Sequence, residues 1–324
     1  MRRGHRTRRT LLAAAVVGSV ALCGPAAARP RPDGPVVVVD QAARAVLVLG
    51  SAEDLMAYRG PGSLPVVRSW SADRDPGLAD LSPGFSWTNP SEARSRVLRG
   101  RRYLLATASG GLAVVVEDAT DRVYWATDTG LANPHGLDLL PDGNVAVAAS
   151  TGGWIRLYTA SRGPRSDRFA AYPLAGAHGV HWDPQRRLLW ALGSTELTAL
   201  RVGGTAAAPT LSAVRSTPLP SAGGHDLSPV LASPGRYWVS TETALWEYDP
   251  DADRFAPVRL SGGGRGIKSI GDAPGTGRVL TASPEPGNAC TWCTTVLALH
   301  RPDGSRVLTG TRLYKARWFT DRRR

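Results

Sequence analysis

A basic or imidazole side chain recurs five times along this chain, each followed fifteen residues later by a small residue that closes an apolar strand. Arg94 is paired in this way with Ser109, His135 with Ser150, His178 with Gly193, His225 with Ser240, and Lys268 with Ser283. The first members lie 41, 43, 47 and 43 residues apart, and a further 47 reaches Lys315. A period of about 40–50 residues built from short strands is the signature of propeller blades. No long amphipathic pattern of helical period interrupts it.

The clearest unit starts at Asn133. His135 to Leu140 reads as a strand, Pro141-Asp142-Gly143-Asn144 as a tight turn, and Val145 to Ala149 as a second strand. Ser150-Thr151-Gly152-Gly153 breaks the chain, the alternating Trp154 to Tyr158 gives a third strand, and Phe169 to Leu174 a fourth. Asp183-Pro184-Gln185, Ser233-Pro234-Gly235 and Ala273 to Gly277 punctuate the later units in the same way. The last unit holds only Leu313 to Phe319, so its partners must come from Val36–Asp40, Ala45–Leu49 and Val66–Trp70. The expectation is an all-β fold: one six-bladed propeller of four-stranded antiparallel blades over residues 29–324, closed by pairing the two chain ends, which removes exposed strand edges. A seventh blade is the alternative if Leu78 to Trp87 adds more than a connection.

Residues 1–28 are expected to be a signal peptide. Five arginines precede the apolar run Leu11 to Cys23, which ends before Ala26-Ala27-Ala28 and is too short to span a membrane stably. Thr7-Arg8-Arg9-Thr10-Leu11-Leu12 looks like a twin-arginine signal, so the protein is expected to be secreted by that route or by Sec. Leu22 occupies a site where a lipoprotein signal needs a small residue, which argues against an anchor at Cys23. Removing the leader lowers the net charge from +12 to +7. The remaining arginines are scattered and form no basic stripe with interleaved aromatics, which argues against nucleic acid. Cys290 and Cys293 then remain, and in an exported chain a Cys-x-x-Cys pair is expected to close a local disulfide.

Propeller geometry brings the starts of the inner strands to one mouth of the central channel. Three neutral imidazoles there, His135, His178 and His225, suit one divalent metal ion and also suit proton transfer. Arg94, Lys268 and Lys315 on the other blades suit an anion such as a carboxylate, sulfate or phosphate. Both readings can hold if metal and cations grip different ends of one ligand. Duplicated blades that inherit a histidine without using it are the bland alternative, and Gly136 and Gly179 can serve merely to relieve crowding at the axis. His181, on the alternate face of its strand, is expected to pack between blades. Trp154, Trp190, Trp238 and Trp246 read as packing residues, whereas Trp87 and Trp292 fall in loops and are candidates for stacking on a sugar.

Several segments carry a resemblance. Asn133 to Asn144, Gly176-Ala-His-Gly-Val-His-Trp-Asp183 with Leu189 to Leu192, Gly223-Gly-His-Asp-Leu227 and Tyr314-Lys-Ala-Arg-Trp318 look like an uncharacterised family of secreted bacterial propellers, a domain of unknown function. The resemblance implies the fold and brings no reaction with it. More distantly, propeller enzymes that cleave uronic-acid polysaccharides by β-elimination place histidine and basic residues at a comparable mouth, which is analogy at the level of fold. Three functions follow. The first is an extracellular lyase on an anionic saccharide. The second is a non-catalytic propeller that binds a glycan or other small ligand. The last, a metal-dependent lactonase or esterase, fits less well because such axes use Glu, Asn and Asp. No nucleophile elbow, Walker loop or dinucleotide fingerprint occurs, and the protein is expected to act as a monomer.

Overall fold

The runs of valine and leucine at the start of the chain have no polar face, so any strand they form must be covered on both sides. A computed structural model, which describes Met1 and residues 33–60, 64–288 and 290–319, shows how this is done. Strands β1 (Val36–Asp40), β2 (Ala45–Leu49) and β3 (Val66–Trp70) form three quarters of the first blade. The second contains β4 (Pro90–Leu98), β5 (Arg101–Ala108), β6 (Leu112–Glu117) and β7 (Val123–Asp128). The third contains β8 (Pro134–Leu139), β9 (Val145–Ala149), β10 (Trp154–Tyr158) and β11 (Phe169–Pro173). The fourth is built of β12 (Gly179–Asp183), β13 (Leu188–Leu192), β14 (Glu196–Thr205) and β15 (Ala208–Pro218). The fifth comprises β16 (Asp226–Pro229), β17 (Tyr237–Ser240), β18 (Leu245–Asp249) and β19 (Arg254–Val258). The sixth comprises β20 (Ser269–Asp272), β21 (Val279–Ala282), β22 (Val296–His300) and β23 (Gly304–Val307). The final strand, β24 (Leu313–Trp318), pairs antiparallel with β1 and becomes the inner strand of the first blade.

Six four-stranded antiparallel blades therefore form a closed propeller, as the repeat predicts. All of them lie in the compact unit spanning 31–324. Leu78 to Trp87 adds no seventh blade. It folds into a 3-10 turn (Pro76–Leu81) and the four-residue helix Pro83–Ser86, which Pro76 and Pro83 start because each presets φ at a first helical position. The expected signal peptide falls mostly on 2–32, outside the described residues. Among the described residues no helix is long and apolar enough to cross a membrane.

The core is six apolar clusters, one at each interface between neighbouring blades. Strand β1 shows why an unbroken apolar run is needed. Val37 and Val39 face the second blade while Val36 and Val38 face the sixth, because successive side chains alternate across a strand. All four are fully buried, and each such side chain contributes on the order of 1.5–3 kcal/mol. Near the axis the inner strands approach closely. A Cβ on Gly136 would lie 2.9 Å from the His178 carbonyl oxygen, and one on Gly179 would lie 2.9 Å from Leu227 Cβ. The glycines that follow His135 and His178 are thus required by packing.

Candidate functional site

Six inner strands run side by side around the channel, and residues at one backbone position near their starts line the same mouth in five of them, the sixth being buried. The backbone N–H groups of His178, His225 and Lys268 make the same bond, to Leu192, Ser240 and Ala282 respectively, each at 2.9 Å and one residue before an inner strand. His135 occupies the equivalent place as the extra residue between the pairs Pro134–Ala149 and Gly136–Ala148. Ser91 does so in the second blade, between Pro90–Ala108 and Glu92–Thr107. Tyr314 follows Leu313, the partner of Asp40, in the first. The ring is therefore Ser91, His135, His178, His225, Lys268 and Tyr314.

Arg94 and Lys315 are not brought to this mouth. Strands β4 and β5 continue to a two-residue turn at Arg99-Gly100, both with positive φ, so this hairpin is three residues longer than that of the third blade. Counting fifteen back from Ser109 consequently stops three residues short of the ring position. The signal that locates it is a shared dipeptide. Asn89-Pro90 precedes Ser91 as Asn133-Pro134 precedes His135, and both asparagines adopt left-handed φ, 50° and 58°. Each carbonyl oxygen accepts from a serine N–H, Ser109 at 2.9 Å and Ser150 at 3.0 Å. Lys315 lies one residue beyond the ring position and points into the axis.

The mouth is a cavity of about 370 Å³ lined by the three histidines, Lys268, Tyr314, Asn89, Asn133, Gln41, Ser109 and Trp292. The imidazoles of His135 and His178 stack at 4.5 Å with 12° between their planes, and His178 meets His225 edge-on at 5.4 Å. His178 Nδ1 lies 2.9 Å from the Gly176 carbonyl oxygen, which can only accept, so Nδ1 carries the proton and Nε2 the lone pair. Lys268 Nζ lies 3.0 Å from His225 Nε2, and the Tyr314 hydroxyl lies 3.2 Å from His135 Nδ1. Two polar atoms here, His225 Nδ1 and Asn133 Oδ1, are buried without a partner among the described residues.

Burial and neighbouring positive charge keep the imidazoles neutral. Burial lowers His178 to about 4, with Lys315 and Lys268 adding to it against the opposing Gly176 bond. Burial, then Lys268 and His178, lowers His225 to about 3. Burial and the neighbouring His178 hold His135 well below the ordinary histidine range. Burial lowers Lys268 to about 8, with Lys315 adding to it and Glu242 opposing. Tyr314 is pushed up by burial and then by Asp226 and Glu92, so its hydroxyl stays protonated. Among the described residues no group of three or more His, Cys, Asp or Glu side chains is arranged to hold a metal ion.

Below the ring the channel is filled by charge. Lys315 Nζ donates to the His135 carbonyl oxygen at 3.0 Å, to Glu92 at 3.2 Å and to Asp226 at 3.3 Å. Arg317 bridges the same two carboxylates with four bonds of 2.6–3.1 Å, and Arg94 donates to Glu92 at 2.7 Å. All five side chains are buried. Burial pushes the Glu92 carboxyl up, but Arg317, Arg94 and Lys315 together hold it well below the usual carboxylate range. A buried charge this well paired resists removal of any one partner.

At the rim, Trp292 is 45% exposed and donates from Nε1 to Gln41 Oε1 at 3.0 Å. Cys290 and Cys293 form the expected disulfide around it. Trp87, by contrast, is fully buried, edge-on to Trp70 and donating to the Arg44 carbonyl, so it is a packing residue and offers no stacking face. His181 packs at the other end of the channel, 3.5 Å from Asp138.

A closed ring of six four-stranded blades defines the class: a six-bladed β-propeller, here with a small, imidazole-rich polar mouth above a charged plug. The chain belongs to the DUF6528 family, a family of unknown function, whose match covers residues 66–323. No curated protein matches the sequence. Among solved structures it is similar to the dihydro-heme d1 dehydrogenase NirN, with 16% identity and a TM-score of 0.46 over 90% of this chain. It spans 56% of that protein's length. A protein of unknown function from Bacteroides caccae is similar over 80% of this chain and 85% of its own, with 9% identity and a TM-score of 0.49. The virginiamycin B lyase of Staphylococcus aureus is similar over 68% and 85%, with 11% identity and a TM-score of 0.46.

Proposed function

We propose that the histidine mouth binds a carboxylated saccharide and that its chemistry is β-elimination at a uronate. One observation carries the reading: a lysine ammonium and neutral imidazoles share one small cavity, with Lys268 Nζ 3.0 Å from His225 Nε2. Elimination needs a positive group to hold the carboxylate and take up the charge that develops on it. It also needs a neutral base for the proton beside it. Lys268 supplies the first and His178 Nε2 the second. The proton passes from the carbon next to the carboxylate to His178 while its electrons move toward the carboxylate. The adjacent carbon–oxygen bond then breaks, the leaving oxygen takes a proton from the Tyr314 hydroxyl, and His178 returns its proton to Tyr314. The products are a sugar with a new carbon–carbon double bond and a free hydroxyl. Trp292 at the rim offers a stacking face to the next sugar. Export of a monomeric protein from the cell is part of this reading.

The test is near-ultraviolet absorbance during incubation with a panel of uronate polymers. A rise with the native protein that disappears in His178→Ala and Lys268→Met supports the lyase. No rise across the panel overturns it. The second reading, a binding protein that returns its ligand unchanged, is favoured by His135 and His225 each spending a ring nitrogen on Tyr314 and Lys268. Saturable binding of a uronate oligosaccharide recovered intact distinguishes it. A divalent ion between the rings requires His135 to leave its stack on His178. Elemental analysis beside the variant His135→Ala/His178→Ala/His225→Ala decides that alternative.

A further inference from the structure

At the far end of the inner strands the channel opens into a second cavity, of about 650 Å³. From His135 to Leu139 the third blade's inner strand covers on the order of 13 Å, and the charged plug lies between the two cavities. This second cavity is walled by Leu139, Leu140, Trp182, Leu231, Ile270 and Trp318, and Arg94, Arg96 and Arg317 lie at its inner end. We propose that it is a binding site for an organic monocarboxylate with an apolar body. This inference does not depend on the function proposed for the histidine mouth.

Its hydrogen-bonding groups are unequally satisfied. Asp272 accepts from the N–H groups of Leu231 and Ala232 and from Trp238 Nε1. Asp183 accepts from the Tyr237 hydroxyl at 2.7 Å and from Arg186. These two carboxylates in the wall are thus already used. Two donors are not: Arg94 Nε and Trp182 Nε1 are buried with no acceptor among the described residues. Arg94 is only 4% exposed, so water does not readily replace the missing partner. A buried N–H left unpaired is costly, more so when its group is charged, and a ligand oxygen would recover that cost. Donors to spare, an excess of apolar wall and a volume within the usual range of small-molecule sites specify the ligand's two ends. A carboxylate meets the arginine end, and a hydrocarbon or aromatic body covers leucine and tryptophan.

Titration calorimetry with octanoate tests this, with octanol as the ligand lacking the anion. Saturable binding of one octanoate is expected, at least tenfold tighter than octanol. Gly271→Phe should abolish it. Gly271 lines the cavity, and a Cβ there meets only Trp318 Cδ1, at 3.8 Å, so a side chain can start from this position without meeting backbone. Trp182→Phe, which keeps the wall and removes one spare donor, should weaken octanoate three- to tenfold. Lys268→Met should leave it unchanged, which separates this site from the histidine mouth. Absence of saturable binding at millimolar octanoate, equal affinity for octanol, or full affinity in Trp182→Phe or in folded Gly271→Phe each overturns the proposal.

Discussion

The two ends of one channel differ in almost every physical respect, although the same inner strands build both. The histidine mouth is small and polar, and its imidazoles are kept neutral by burial. The opposite cavity is larger, mainly apolar, and backed by arginines whose charge is largely spent on carboxylates. What separates them is the plug of Glu92, Asp226, Arg94, Lys315 and Arg317. A repeated backbone position does not imply repeated chemistry. Moving one or three residues along an inner strand takes a cation out of the mouth and into the axis.

Removing the plug should have the largest effect. Glu92→Gln keeps the shape but leaves three buried cations facing one carboxylate. It should cost about 3–5 kcal/mol, read as a lowered denaturant midpoint, and should disturb both ends together. Lys268→Met, confined to the mouth, should move that midpoint far less. A cost for Glu92→Gln no larger than for Lys268→Met would show that the plug does not hold the ends apart.

Acid provides the next test. Each mouth histidine has a folded pKa below the unfolded value of about 6.5. As pH falls below that value the unfolded chain takes up protons that the native mouth refuses, so stability falls with pH. The loss continues until the native rings protonate, near 4 for His178 and near 3 for His225. Denaturant titrations at pH 7 and pH 5 should show this fall, reduced in the triple histidine-to-alanine variant. On the alkaline side, uronate binding should weaken as pH rises through about 8, where Lys268 loses its proton. Octanoate binding at the other end should be insensitive over the same range, because arginine stays charged.

The smallest effect is expected at the rim. A bridge closing so short a loop contributes about 2 kcal/mol on the chain-entropy view. Cys290→Ser/Cys293→Ser should therefore lower stability by that much or less. It should also weaken saccharide binding through Trp292 and leave the opposite cavity untouched. An equal loss at both ends would mean that the staple supports the whole ring.

The fold was legible because its determinants are periodic. Blade length, turn dipeptides and the apolar inner strands all repeat, and the closure of β1 on β24 follows from three strands at one end lacking a fourth. The histidines were legible because imidazole recurs at near-equal spacing in three consecutive blades, although the β8–β9, β12–β13 and β16–β17 turns differ in length. Ser91 and Tyr314 were not, because a longer β4–β5 hairpin and a shifted register in β24 break the count while leaving the backbone position intact. Arg94 and Lys315 share a residue class with Lys268, but composition does not distinguish a cation that meets solvent from one that neutralises Glu92. Neither could the sequence announce the plug, whose members lie as far as 225 residues apart.

The pairing of β24 with β1 has a consequence for the order in which the molecule can be assembled. Two cations of the plug, Lys315 and Arg317, sit on β24, whereas their carboxylates, Glu92 and Asp226, sit on strands made much earlier. During synthesis the second to sixth blades can form their sheets and apolar interfaces, but the axis then holds acids with only Arg94 to answer them. The ring gains its missing edge and its missing positive charge in one event, when the last strand arrives. Closure and neutralisation are therefore one step, and a chain stopped before Leu313 would be left with an open ring whose acids repel its own centre.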